Sequence, residues 1–422
     1  MANNSTHVGR LTDDAPSMLV IAGLAFFTFV VVTARLGMAE IGIVMALAGL
    51  VMRPSQLRFP APFWWAISLV AWAFATSPWA IAPDIAQATA VDRLKVFVVF
   101  LVVINTLRTE RHFRHYVLFI LACFMLSPVR GALTNYLHGY TRFGRALWNQ
   151  IYANPNDLAA TSLLTLGLSL SVLANVQERR WIRWGSAACA IILVVVVLLT
   201  QSRGVFVGMI VGFGLSVITL TWKQPRLLVS IVAIAVVGMA LVPHAVWTRL
   251  SGIGMLANAS TIAQADPEKS AAQRWEIQKV AFRIFADYPL TGIGLGCYPI
   301  ANKLYAPKLG PRDTHNTYLN LSAELGLPGL LLWLGLIGSV FRHWRRANAA
   351  LRQAANKRVE LSSRAVWIKR AIVGFLVSGF FGSYSGITML YLLLGVVWSA
   401  ASLVQTAPAL PQDRQSPTQR WP

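Results

Sequence analysis

The chain has 422 residues, of which 56% are hydrophobic and 13% charged, with a formal net charge of +21. Soluble proteins are about one-quarter charged, so this composition excludes a soluble globular chain and implies a polytopic membrane protein. The positive balance does not read as nucleic-acid binding: Lys and Arg cluster in short connections between apolar runs, where they set topology, without an RNA-binding signature or a stacking aromatic repeat.

Apolar runs approaching the roughly 20 residues that cross a bilayer recur from end to end. The first, Met18 to Val32, has no small-residue cleavage site after it and reads as a retained helix, not a signal peptide. About twelve spans are expected, at 17–33, 38–52, 62–77, 94–107, 115–132, 157–175, 183–200, 205–221, 227–243, 316–340, 370–382 and 386–404. The second and fourth are the weakest. Alternate connections hold the basic residues: Arg53 and Arg58; Arg108, Arg111 and Arg114; Arg179, Arg180 and Arg183; Lys223 and Arg226; and the stretch from Arg342 to Arg370. These connections are expected in the cytoplasm, with both termini.

The opposite side receives the long connections 78–93, 133–156 and 243–315. The expected organisation is a single transmembrane domain over 1–422, with a periplasmic loop subdomain, 243–315, inserted between the ninth and tenth spans. Trp64, Trp65, Trp79, Trp181, Trp184, Trp222, Trp247, Trp344 and Trp367 fall near span ends, as an interfacial belt requires. Within the large loop, Ser270 to Asp287 reads as an amphipathic helix with Val280, Ile284 and Phe285 on one face. The glycines of "YPLTGIGLGCYP" follow it and permit backbone turns; no strand precedes them to suggest a nucleotide fold. Cys123, Cys189 and Cys297 have no metal-ligand spacing and no disulfide framework is expected.

Three outer-face residues stand out. Arg203 lies in "LLTQSRGVFVG", a short polar break between two apolar spans: it either snorkels to headgroup phosphates or lines a polar pocket edge with Gln201 and Ser202. Arg274, in "SAAQRWEIQKVAF", is either a solvated helix charge or an anion ligand. His315 follows Asp313 and Thr314, either of which is a plausible N-cap, so its ring is expected in the first helical turn. The positive helix end there favours neutral imidazole. It is either a capping residue or a proton acceptor, with Tyr318 one turn along to hold its other nitrogen or contact substrate. Two guanidiniums bind phosphate oxygens bidentately, and a neutral histidine takes a proton from a hydroxyl. Arg142 and Arg145, in "GYTRFGRALWNQ", are second-tier phosphate ligands or solvated loop charges. Asn154, Asn156 and Asp157 bind sugar hydroxyls or, as the preferred reading, cap the next span. No DxD pair, HExxH or Cys/His cluster is present, so neither metal nor cofactor is expected, although the scattered Asp84, Asp92 and Asp157 leave a cation open.

"IYANPNDLA", "TQSRG", "RWEIQKVAF", "YPLTGIGLGCY" and "THNTYLNLSAELGLPG", in that order around one large loop, resemble the O-antigen ligase and O-antigen polymerase superfamily. The resemblance covers Ile151 to about Leu336 by motif. It implies an all-α fold like that of C-type glycosyltransferases, and glycan transfer from undecaprenyl diphosphate on the periplasmic face of the bacterial inner membrane. Arg203, Arg274 and His315 match the family's essential arginines and histidine, with Asn316 beside them as a further substrate contact. Chain length and the single large loop look most like the ligase that attaches O-antigen to lipid A–core. The alternative within the superfamily is an O-antigen polymerase joining lipid-linked repeat units. A transporter or lipid flippase is the alternative of another class, opposed by the near-absence of acidic residues away from the span ends.

Overall fold

The computed structural model describes residues 16–33, 36–52, 54, 57–223, 270–353 and 359–405. It is 79% helix, with no strand among the described residues. In chain order the helices are α1 (Met18–Val32), α2 (Ala39–Val51), α3 (Ala61–Thr76), α4 (Pro83–Thr106), α5 (Glu110–Phe124), α6 (Arg130–Leu137), α7 (Pro155–Leu173), α8 (Arg180–Leu199), α9 (Arg203–Lys223), α10 (Ser270–Asp287), α11 (Tyr298–Tyr305), α12 (Thr317–Gln353), α13 (Val359–Ser378) and α14 (Thr388–Gln405).

The starts follow local chemistry. Ser17, Thr109 and Asn154 each accept a hydrogen bond from a first-turn N–H, at 3.3, 3.1 and 3.0 Å. Pro83 and Pro155 open α4 and α7, where the missing N–H costs nothing. A π-helical turn around Pro128 joins α5 to α6, and the two read as one span.

Five segments are long and apolar enough to cross a membrane: Glu110–Leu137, Pro155–Leu173, Arg180–Leu199, Thr317–Ala350 and Thr388–Gln405. The chain is a helical membrane protein. The remaining described spans fall on shorter or less apolar helices, and 227–243 lies outside the described residues, as does 243–269 of the large loop.

Helices α7 and α14 form the centre, each with 83% of its apolar window buried. α7 packs on α8 and α13, and α14 on α4, α12 and α13. Three buried hydroxyls on α7 bond to backbone carbonyls: Thr161 Oγ1 to Asp157 O at 2.8 Å, Thr165 Oγ1 to Thr161 O at 2.9 Å and Ser169 Oγ to Ser186 O at 2.6 Å. No polar atom of these three is left bare in an environment that has no water to offer it. α9 meets α13 through Gly208 and Gly374, where an added Cβ on either would overlap the other's carbonyl.

The expected amphipathic helix is present as α10, over the same residues. Its inner face is Ile277, Ala281 and Ile284, which form a small core with Ile293, Tyr298, Ala301 and Ala323. That core docks on a break in α12. At Gly326 the backbone turns to φ 68° and ψ −174°, and a Cβ there would overlap the Leu290 carbonyl. The carbonyls released by the break are taken up by the glycine turn and by α3. Ile293 N and Gly294 N donate to Ala323 O and Glu324 O at 3.0 and 2.9 Å, and Trp72 Nε1 donates to Leu325 O at 2.9 Å. Glu324, buried within α12, accepts from Tyr298 N at 3.1 Å and from Gly296 N. Its carboxylate anchors the loop, so this acid in a broken helix needs no transport role.

Three expectations change. The N-cap of α12 is Asn316, whose Oδ1 accepts from Tyr318 N and Leu319 N at 3.0 and 3.1 Å. Neither Asp313 nor Thr314 is the cap, so His315 precedes the helix instead of lying in its first turn. α12 also continues past 340 to Gln353, because the basic, alanine-rich stretch there is built of good helix formers. Among the tryptophans, Trp64, Trp65, Trp79, Trp181 and Trp184 are exposed as an interfacial belt requires, but Trp344 is buried.

Candidate active site

Four segments meet at His315: the loop before α7, the α8–α9 break, the approach to α12, and the α13–α14 turn. Three of them hold strained backbone. Phe143 and Gln150 in the loop before α7, Gln201 in the break and His315 have φ of 54°, 51°, 52° and 51°, in the left-handed region that side-chain-bearing residues rarely occupy. Gln201 ends α8 in the position glycine usually fills. Its Nε2 donates to Gly144 O at 3.0 Å, tying the break to the loop before α7.

Arg145 is fixed in that junction. Its Nε donates to Thr200 O at 2.7 Å and its Nη2 to Asn156 Oδ1 at 2.7 Å. Ser202 Oγ donates to the same Asn156 oxygen at 3.0 Å. The buried Tyr384 hydroxyl interacts with Ser202, and the charges of Asp157, Arg274 and Arg145 reach it. Burial keeps the Tyr384 phenol protonated. The turn carrying Tyr384 is clamped to the start of α12: Thr317 N donates to Gly379 O at 2.7 Å, Tyr384 N to Thr317 Oγ1 at 2.8 Å, and Ser383 Oγ lies 2.7 Å from Thr314 Oγ1.

The His315 imidazole is held neutral. Burial comes first, then the positive charges of Arg274, Arg312 and Arg145, and together they push its pKa down from 6.5 to about 4. Asp313 is exposed as a residue, but the protein around its carboxyl desolvates that group and raises it above the ordinary carboxylate range, against hydrogen bonds from Ser383 and Thr314. The arrangement is a basic recess beside a proton-accepting ring. Such a recess suits a phosphate anion, and the ring suits a hydroxyl about to lose its proton.

Arg274 and His315 are therefore together. Arg203 is half-buried at the first residue of α9, next to Ser202; the guanidiniums with the largest effects on the ring are those of Arg274, Arg312 and Arg145. Arg142 is exposed, and only its backbone pairs with Arg145. The Tyr318 hydroxyl donates to Leu376 O at 2.7 Å, away from the imidazole. Asn316 uses its side-chain oxygen as the helix cap. Asn154 is the α7 N-cap, whereas Asn156 serves the junction. Arg312, Ser383 and Tyr384 escaped the sequence reading. The signal was a second polar break, "GSYSG", between two apolar runs, the same feature that singled out Arg203.

The family model described as O-antigen ligase matches residues 188–334. This match, over part of the chain, supports membership of the O-antigen ligase/polymerase family. The family match spans α8 to the middle of α12 and contains Ser202, Arg203, Arg274, Arg312 and His315, while Arg145, Asp157, Ser383 and Tyr384 lie outside it. Family members are glycosyltransferase-like enzymes of O-antigen assembly, which handle lipid-linked polysaccharide. No curated protein matches the chain.

Proposed function

We propose that the chain is the ligase of this family: it transfers O-antigen polysaccharide from undecaprenyl diphosphate to lipid A–core at the periplasmic face of the inner membrane, both termini being cytoplasmic. The observation that carries this reading is a neutral, half-buried histidine within reach of several guanidiniums. Arg274, Arg203 and Arg145 hold the donor diphosphate, with the positive N-terminus of α9 beside them. The acceptor oxygen bonds to the anomeric carbon as the bond from that carbon to the diphosphate oxygen breaks. The electron pair leaves with undecaprenyl diphosphate, the acceptor proton passes to His315, and the configuration inverts. Arginine charge supplies the stabilisation of the leaving group.

The test is reconstitution of purified protein with lipid-linked O-antigen and lipid A–core. Transfer is expected, and it persists in excess chelator. Loss of all transfer in chelator would point to a cation held by carboxylates. Joining of lipid-linked repeat units in place of transfer to core would identify a polymerase, and no glycan transfer at all would leave transport.

The low pKa of His315 fixes the acid side of the pH profile. The ring accepts a proton only while neutral, so activity is lost as pH falls through its pKa. The acid limb of kcat/KM, which reports the free enzyme, is expected near pH 4. Bound diphosphate offsets the arginine charge, so the limb of kcat is expected at higher pH. A kcat/KM limb at the ordinary histidine value of about 6.5 would contradict this electrostatic account.

A further inference from the structure

Next to the basic recess lies a cavity of a different character. It has a volume of about 290 Å³ and is lined by Asp157, Thr161, Tyr152 and Ser383 on its polar side. Its lining contains no cationic side chain. A second cavity, of about 440 Å³, carries Glu40, Thr89, Asp92, Arg93 and Lys95. Val31, Ile151, Gly386 and Thr388 line both cavities, which therefore adjoin and are taken together as one passage. The charges of the outer part are already matched. Lys95 Nζ donates to Glu40 and Asp92 at 3.2 and 3.1 Å, and Arg93 donates to Ser385 O and, at 3.1 Å, to Tyr391 Oη.

The inner cavity approaches the histidine through Ser383. Ser383 contacts Thr314, the residue before His315, and the Asp157 and Asp313 carboxylates are close enough to repel each other. A chamber lined by one carboxyl group, hydroxyls and apolar side chains, with no cation, offers a diphosphate no charged partner. A polyhydroxyl ring is favoured there, because a carboxylate accepts sugar hydroxyls and the neighbouring Ser and Thr hydroxyls both donate and accept. The combined volume falls in the range of about 300–1,000 Å³ typical of ligand pockets.

We infer that this passage binds the glycan of the acceptor, with its terminal sugar in the inner cavity on Asp157 and Ser383 and one hydroxyl directed at His315. The inference rests on the reading of His315 as the proton acceptor in glycan transfer. It separates the two substrates: phosphoanion among the arginines, neutral sugar among the carboxylate and hydroxyls.

Filling the junction between the cavities tests it. Gly386 is suitable, since its backbone is not left-handed and the nearest atom to an added Cβ is Arg93 Nη2 at 3.7 Å. Ile151, exposed by 39%, is a second position. Gly386→Phe and Ile151→Trp are each expected to raise the KM for lipid A–core by about tenfold or more, with the KM for lipid-linked donor unchanged. Asp157→Asn should move the same constant in the same direction without filling space. Direct titration of lipid A–core into the detergent-solubilised protein gives a readout independent of turnover. If the wild type binds the glycolipid and the fillers prevent that binding, but the wild type itself transfers no glycan, the passage stands and the ligase reading falls. If transfer proceeds and the fillers leave the acceptor KM unchanged, or raise the donor KM instead, the passage is wrong and the ligase reading stands. A wild type that neither binds nor transfers sinks both.

Discussion

Replacing His315 with Asn is expected to lower kcat for glycan transfer by roughly 10²- to 10⁴-fold, the worth of a positioned general base. Asn is the informative substitution because residue 315 sits at φ 51°. Asn tolerates the left-handed region far better than Ala does. His315→Ala would combine loss of the imidazole with backbone strain of about 1–3 kcal/mol, next to the cap that starts α12. The Asn variant should insert, melt like the wild type and bind lipid-linked donor, since the diphosphate is held by arginines. Donor affinity is then separable from turnover. Wild-type turnover in a well-inserted His315→Asn protein would remove the ring from the mechanism and leave its conformation as a structural feature.

How much of this site was legible in the sequence differs from residue to residue. α10 was legible because its period-3.6 apolar face is intrinsic to "EIQKVAFRIFAD", and the helix needs that face wherever it docks. The cap of α12 was not, because "DTHNT" offers four capping side chains in succession and only the folded chain selects Asn316. The shift of the cap from Asp313 or Thr314 to Asn316 moved His315 out of the helix into a strained turn. From sequence, Arg145 is a second-tier phosphate ligand, with a solvated loop charge at least as good a reading. The deciding facts, Thr200 O and Asn156 Oδ1, are long-range or cross-loop contacts. Tyr384 and Ser383 were missed for a similar reason: a hydroxyl-rich turn between apolar runs has no chemistry until Ser202 and Thr314 arrive beside it. The break in α12 was hidden because "ELGLPGLLLW" is apolar on both sides, and the donors that make the break tolerable lie more than 20 residues earlier.

The second large effect is expected at Arg274. Arg145 is a poor probe of phosphate binding, because its guanidinium also holds the α8–α9 junction together, and Ala there would disturb Asn156 and Ser202 as well. Arg274 comes from α10, whose packing is carried by Ile277, Ala281 and Ile284, so its loss should leave the helix docked. Arg274→Ala is expected to cost about 2–5 kcal/mol in kcat/KM for the donor, the penalty for removing one partner of a desolvated charge pair, which is roughly 30- to 4,000-fold. Arg274→Lys keeps the charge without the planar fork and should recover only part of the loss. Arg274 is also the first of the charges holding the His315 pKa down, so in either neutral variant, Ala or Gln, the acid limb of kcat/KM should move up from near pH 4 toward 6.5, whereas in Lys it should stay low. Affinity and pH dependence thus report on the same guanidinium by independent routes. If Arg274→Ala left donor kcat/KM within about twofold of wild type and the limb in place, the anion would have to be bound elsewhere, and the recess around His315 would lose its claim to be the diphosphate site.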